Sequence, residues 1–481
     1  MNWQSIFQFL PEVTEPSEKK VSFKVKLTWT IIILASFFVL ANIPLYGLSR
    51  NALERFEFLA IILGTDFGSI ISLGIGPIVT ASIILQLLVG SKILDIDTSN
   101  SEGRRFFQGL QKLLVIIFII FEAIVYVVMQ GLQALPGFSL IVIFQLILGG
   151  LAIFLMDEVS QKWGFGSGVS MFIAAGVSWR LIVTSLQFVD QQGRNCLLDF
   201  GSTACTGRIL VFIQSLINRA PIEAISAFAA IAVTVLIFLA VVWAQSLKIE
   251  IPLSMGRYLF RGNAMKYPLQ FFYAGVIPVI LVAALIANIS LFGALIENTS
   301  QPCLSGGVGD CTTLPKIASY FTWMGSFVNG QPISGLAFWF GNTNLLELAI
   351  RGGLTTRYII QGITHILLFS LLSIVFAVFW VKTSGSDAKN LARKIMNSGM
   401  QVSGFRQDER VLEAILERYV MPLTVMGGIA IGLLASFTDL LGALVSGTSI
   451  LLVIMVMYQF YQNIAQQHAM DMHPALKKFM G

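Results

Sequence analysis

The sequence predicts an all-α polytopic membrane protein of ten transmembrane helices, and three observations carry that prediction. The chain is 56% hydrophobic and only 12% charged, a balance that a water-soluble surface of 481 residues does not tolerate. Ten stretches reach the roughly 20 mostly apolar residues a helix needs to cross a hydrocarbon core. Lys and Arg are also distributed unevenly between alternate loops.

The ten stretches lie near 28–48, 75–94, 113–131, 138–156, 168–188, 224–246, 268–292, 358–381, 420–438 and 444–464, numbered here as spans 1 to 10. From Tyr267 to Ile296 there is no Asp, Glu, Lys or Arg, so helix is the economical way to satisfy the backbone in span 7. Ten crossings put both termini on one side. Of the 31 Lys and Arg residues, 22 fall in the two terminal segments and the 2/3, 4/5, 6/7 and 8/9 loops, and 9 fall in the opposite loops and adjoining span ends. The bias predicts a multi-pass protein of the cell membrane with both termini cytoplasmic. Span 1 follows a polar segment and lacks a small-residue cleavage site, so it is expected to stay in the protein.

The four cysteines all fall in two outward loops, Cys196 with Cys205 and Cys303 with Cys311. In an oxidising exterior two short disulfides would pin these loops. A shared four-cysteine metal site stays open, although neither loop offers a His, and no metal or cofactor is expected.

Enzyme signatures are missing. With only His365, His468 and His473 there is no HExxH, and no GxSxG or GxxxxGK[ST] occurs. Gly307-Val308-Gly309-Asp310 matches the GxGD of intramembrane proteases, but it sits in a polar, Cys-flanked loop with no second membrane-buried Asp, so chance explains it. The chain is not expected to be an enzyme.

A secondary transporter of small solutes is the alternative reading. Gly and Pro interruptions at Gly74-Ile75-Gly76-Pro77 and Ile277-Pro278 fit a midplane site. Ion coupling needs several buried ionisable groups, however, and apart from Lys92 at the end of span 2 the predicted spans hold only Glu122, Arg180 and His365. Two large basic loops also favour a bigger partner. Loop 248–266 carries Lys248, Arg257, Arg261 and Lys266 against Glu250 alone, and its Ile249-Glu250-Ile251 alternation predicts a short hairpin. Loop 382–418 adds seven basic residues, Arg393, Lys394 and Arg406 among them, against five acidic ones. Such charge sets topology and also attracts phosphate-rich RNA or an acidic partner.

A series of motifs runs the length of the chain. It includes Pro11-Glu12, Phe23-Lys24-Val25-Lys26-Leu27-Thr28-Trp29, Leu73-Gly74-Ile75-Gly76-Pro77-Ile78-Val79-Thr80, Gln111-Lys112-Leu113 and Gly166-Ser167-Gly168. It continues with Glu250-Ile251-Pro252-Leu253, Gly256-Arg257, Lys266-Tyr267-Pro268, Ile277-Pro278-Val279-Ile280, Gly404-Phe405-Arg406 and Pro422-Leu423-Thr424-Val425. In this order and on these loops and spans, they make the chain similar to SecY, the channel-forming alpha subunit of the Sec translocon, in its archaeal or eukaryotic form.

The resemblance implies two pseudo-symmetric five-helix halves, 1–220 and 221–481, around a central hourglass pore. It implies a protein-conducting channel that translocates secretory polypeptides and inserts membrane proteins laterally. The family's pore ring falls on Ile75, Val79, Val169, Ile173, Ile280 and Leu452, all aliphatic, which suits a constriction that resists wetting and binds no side chain tightly. Ile75 with Val79, and Val169 with Ile173, are spaced i,i+4 and so share a helix face. The plug would lie near 56–72, with Phe56, Leu59, Ile62, Leu63 and an unusual Asp66.

The lateral gate, between spans 2 and 3 and spans 7 and 8, would carry Thr80, Glu122 and Asn288. Hydrogen bonds across it would be worth about 0.5 to 2 kcal/mol each, weak enough for an arriving signal sequence to replace. The implied partners are the ribosome, docking on Arg257, Arg261, Lys266, Arg393, Lys394 and Arg406, together with nascent polypeptides, signal sequences, membrane lipid and two small subunits of the SecE/gamma and SecG/beta kinds. A eukaryotic member would reside in the endoplasmic reticulum membrane.

Overall fold

The computed structural model describes residues 10–17, 21–51, 67–96, 101–189, 194–197, 205–255, 265–304, 313–328, 331–397, 400–401 and 409–472. Ten helices answer to the ten apolar stretches: Phe23–Ala41, Gly76–Gly90, Ser101–Val128, Ser139–Trp163, Gly168–Leu186, Pro221–Gln245, Ile277–Leu304, Thr356–Thr383, Glu409–Leu441 and Gly447–Met472. Among the described residues nine of them are long and apolar enough to cross a membrane, and span 2, Gly76–Gly90, is shorter.

Span 2 is short because the chain ahead of it is not helical. Turns run from Phe67 to Ile75, and Ile71, Leu73 and Ile75 are fully buried. Irregular backbone at membrane depth persists only where protein surrounds it. Here Leu45 N donates to Gly68 O, Ile70 N to Ile43 O and Gly74 N to Ile71 O, so the turns carry their own bonds. Span 4 packs against them so closely that a Cβ on Gly149 would strike the Ile70 carbonyl, and only glycine fits there.

The remaining boundary differences also have local causes. Span 3 begins at Ser101, well before its apolar stretch, as an amphipathic extension. Span 9 starts at Glu409 and runs 33 residues, again with a polar amino-terminal part. Span 7 starts at Ile277 because Met265–Gln270 is a strand.

Among the described residues seven strands lie in the loops. β1 (Leu48–Asn51) pairs with β2 (Leu132–Ala134). β3 (Lys248–Met255) and β4 (Met265–Gln270) form the antiparallel hairpin expected in the 6/7 loop. β5 (Ser326–Val328) pairs with β6 (Gln331–Ser334) in the 7/8 segment. β7 (Met400–Gln401), from the 8/9 loop, adds to β3 through Ser254↔Gln401 and Met255↔Met400, which joins the two basic loops into one sheet.

Burial separates the centre of the bundle from its rim. In span 7, 78% of the apolar window is buried inside the protein, whereas in span 1 the figure is 11%. Span 7 therefore lies at the core, and span 1 presents Ile31, Ile32 and Val39 outward, as a lipid-facing helix should. The amino-terminal segment is strapped to the ends of spans 3 and 4: Glu12 accepts from Lys162 at 3.0 Å and pairs with Lys112 at 3.3 Å, and Trp163 Nε1 donates to Thr14 O. The Lys162 hydrogen bond holds the Glu12 carboxyl below its ordinary value.

Candidate functional site

Ile75, Val79, Ile173, Ile280 and Leu452 are all buried, and they belong to one continuous hydrophobic core fed by spans 2, 5, 7 and 10. Val169 is partly buried and packs against the same core. None of the six is scattered over the exterior. Branched aliphatics from four spans thus belong to one contiguous dry contact network, and their side chains offer no hydrogen-bonding group.

A cavity of about 610 Å³ opens beside this contact, toward the face that carries the basic loops. Val79, Val169 and Ile280 are on its wall, together with Gln108, Gln111 and Trp380. The wall thus combines aliphatic side chains with polar and aromatic ones.

Val169 is held by a residue that the sequence reading passed over. The Asp157 carboxylate, buried near the end of span 4, accepts from the Val169 backbone N–H at 3.0 Å and so caps the first turn of span 5. A Cβ on Gly168 would clash with the Asp157 backbone, which keeps the two spans in close contact. Twelve residues of sequence separate the pair, and no local pattern announces it.

The three seam residues meet. Asn288 Nδ2 of span 7 donates to Thr80 Oγ1 of span 2 at 2.9 Å. The Thr80 hydroxyl hydrogen is shared between Gly76 O at 2.8 Å and Glu122 Oε1 of span 3 at 3.4 Å. Glu122 is buried. Deeper toward the basic face, Gln111 of span 3 donates to Ser82 of span 2 at 2.8 Å, tying those two helices to each other.

His365 and Asp439 form a second buried group of ionisable side chains. His365 Nδ1 contacts Phe340 O at 2.9 Å, and its Nε2 lies 3.7 Å from Asp439. Asp439 in turn accepts from the Thr448 backbone N–H at 2.7 Å, joining spans 9 and 10. The pair anchors the 7/8 segment and the 9/10 turn.

Of the basic-loop residues, Lys266 lies on β4, and Arg393 and Lys394 lie on the helix Ala388–Asn397, where Arg393 Nε donates to Glu409 at 2.6 Å. Arg257, Arg261 and Arg406 are outside the described residues, as are the plug positions Phe56, Leu59, Ile62, Leu63 and Asp66. Cys196 and Cys205 are joined in a disulfide, which removes any site needing all four thiolates. The Cys303 side chain and Cys311 are outside the described residues.

The family model of SecY matches residues 69–461. The chain belongs to the SecY family. The protein translocase subunit SecY of Methanothermobacter thermautotrophicus is 40% identical over 485 residues, covering 100% of this chain and 98% of that one. SecY of Pyrococcus horikoshii is 36% identical, with 98% and 97% covered. Among solved structures, a protein-conducting channel superposes with a TM-score of 0.79 at 35% identity and 99% coverage of both chains. Sec61 from a canine ribosome–channel complex of the endoplasmic reticulum does so with a TM-score of 0.76 at 34% identity, again with 99% of both chains covered. The cavity and the Asn288–Thr80–Glu122 cluster therefore sit in the fold of a protein-conducting channel.

Proposed function

We propose that this chain is a protein-conducting channel that passes secretory polypeptides across the membrane and releases apolar segments sideways into lipid. The observation that carries the reading is a cavity whose wall holds Val79, Val169 and Ile280 against an aliphatic core shared by spans 2, 5, 7 and 10, in a chain related to SecY over its full length. A passing polymer of arbitrary sequence needs a seal without fixed hydrogen bonds, and this contact has none to offer.

In this reading the six ring residues form the seal, the 56–72 segment is the plug, and Thr80, Glu122 and Asn288 hold the lateral gate shut. The halves 1–220 and 221–481 move against each other. Both termini and the basic loops face the cytoplasm, in keeping with the Lys and Arg bias. Lys266 on β4, and Arg393 and Lys394 on the helix Ala388–Asn397, would with Arg257, Arg261 and Arg406 meet ribosomal phosphate. Sec61 appears in complexes with the ribosome, which supports that docking. Small subunits of the SecE/gamma and SecG/beta kinds complete the assembly, and their contacts would cover part of the apolar rim.

The test is reconstitution of the chain with its small subunits in sealed vesicles. A polypeptide bearing a signal sequence is expected to reach the lumen and become protected from added protease. Accumulation of a small solute with no polypeptide transport would favour a transporter instead.

A further inference from the structure

Three consecutive residues near the far end of span 7 are all engaged. Glu297 receives the Phe327 backbone N–H on both carboxylate oxygens, at 3.1 and 3.0 Å, which ties span 7 to the β5–β6 hairpin. Asn298 Nδ2 donates to Gln130 O at 3.0 Å, and Thr299 Oγ1 donates to Met129 O at 3.0 Å. Both acceptors belong to the carboxy-terminal end of span 3, where helix carbonyls have run out of backbone donors. Gln130, with φ +58, turns the chain out of the helix there.

These two bonds cross the same seam as the Asn288–Thr80–Glu122 cluster, between span 7 and the helices of the first half. Asn298 lies ten residues beyond Asn288, about 15 Å farther along the helix. They form a separate rung at the opposite face of the bundle from the basic loops.

The chemistry of this rung differs from that of the inner one. The Thr299 hydroxyl has one hydrogen, and it is also 2.8 Å from Leu295 O of its own helix, so Thr299 can release Met129 and stay bonded. Gln130 is exposed, and water can take over its carbonyl when Asn298 withdraws. The donors and acceptors of this rung thus have substitutes once the helices part. Thr80 likewise keeps its bond to Gly76 O, but the Asn288 amide, at mid-span beside the buried Glu122, has Thr80 Oγ1 as its one acceptor among the described residues.

We infer that Asn298 and Thr299 are a second, releasable latch of the lateral gate, set at its outer end and positioned through Glu297 by the 7/8 segment. The latch adds a small cost to opening, so it sets how apolar an arriving segment must be to part the seam. This inference rests on the channel reading.

The test uses the complete complex in vesicles and compares insertion of a weakly apolar segment with that of a strongly apolar one. In the variant Asn298→Ala/Thr299→Val the ratio of weak to strong insertion is expected to rise about tenfold, the effect of losing two weak hydrogen bonds together. Thr299→Val alone should give part of that rise, while Thr299→Ser keeps the hydroxyl and should match the wild type. An unchanged ratio in the double variant, or Thr299→Ser behaving as Thr299→Val does, overturns the latch. If the wild-type complex inserts not even the strongly apolar segment, the channel reading fails and the latch falls with it, so the two failures are told apart.

Discussion

Span 2 shows two kinds of contact on two faces of one helix. Ile75 and Val79 lie one turn apart in the aliphatic core, while Thr80, about 100° round the helix from Val79, bonds to Asn288 and shares its hydrogen with Glu122. The apolar face excludes water without directional bonds, so it can close around anything and grip nothing. The polar face closes through specific partners, and it opens only when those partners are exchanged. A channel that must both seal and split needs the two kinds of contact side by side, and here they are adjacent residues.

The largest effect should come from destroying the apolar face. Replacing Ile75, Val79 and Ile280 together by Gly removes three buried side chains from the ring. Resting ion conductance across a planar bilayer is expected to rise by at least about tenfold, since the cavity beside them would then continue into a wettable path. A tight bilayer would break the distinction between the faces.

A smaller effect is expected on the polar face from Asn288→Asp. It puts a second carboxyl group against Thr80 and close to Glu122, so the closed seam loses its amide donor and must bury another acidic group. Insertion of weakly apolar segments should increase about fivefold with little change in resting conductance. A large leak with unchanged insertion would mean that the seam and the seal are one device.

Filling the ring should sharpen the contrast. Val169→Ile adds one methylene at the partly buried ring position, and resting conductance should fall by no more than about threefold. A bulkier ring that leaks more would point to strain at the Asp157-capped start of span 5.

The smallest effect concerns a polar contact in water. Glu12 is bonded to Lys162 and its pKa lies below the ordinary value of 4.5, so the tie is in full force above about pH 4.5 and is lost as pH falls through the lower folded value. Hydrogen exchange in residues 10–17 should quicken in that acidic window, and Glu12→Gln should abolish the pH dependence. Glu12 is largely exposed, so transport at neutral pH should be little affected.

Much of the fold is legible in the sequence because lipid imposes a simple rule: long apolar runs become helices, and basic loops gather on one side. The hairpin at Lys248–Gln270 is legible as well, from its Ile249-Glu250-Ile251 alternation. Motif position singles out Thr80, Glu122 and Asn288, and their side chains meet. Other features have no local signature. The start of span 7 reads as uninterrupted apolar sequence, yet residues before Ile277 pair with β3 and then turn through Gly275 at φ +67. Asp157 reads as one acid among the polar residues ending span 4, because its partner on span 5 is known only once the helices are packed. Asn298 and Thr299 read as a polar tail for the same reason, since their acceptors are backbone carbonyls some 170 residues away.

The brevity of Gly76–Gly90 has a mechanical corollary. A fifteen-residue helix covers about 22 Å, so it cannot span a hydrocarbon core of roughly 30 Å unaided, and the turns from Phe67 to Ile75 make up the difference. Those turns are fixed by bonds to Ile43 and Leu45 at the end of span 1, so part of the membrane depth at span 2 is covered through tertiary contacts, and the helical ladder with its two faces begins only at Gly76.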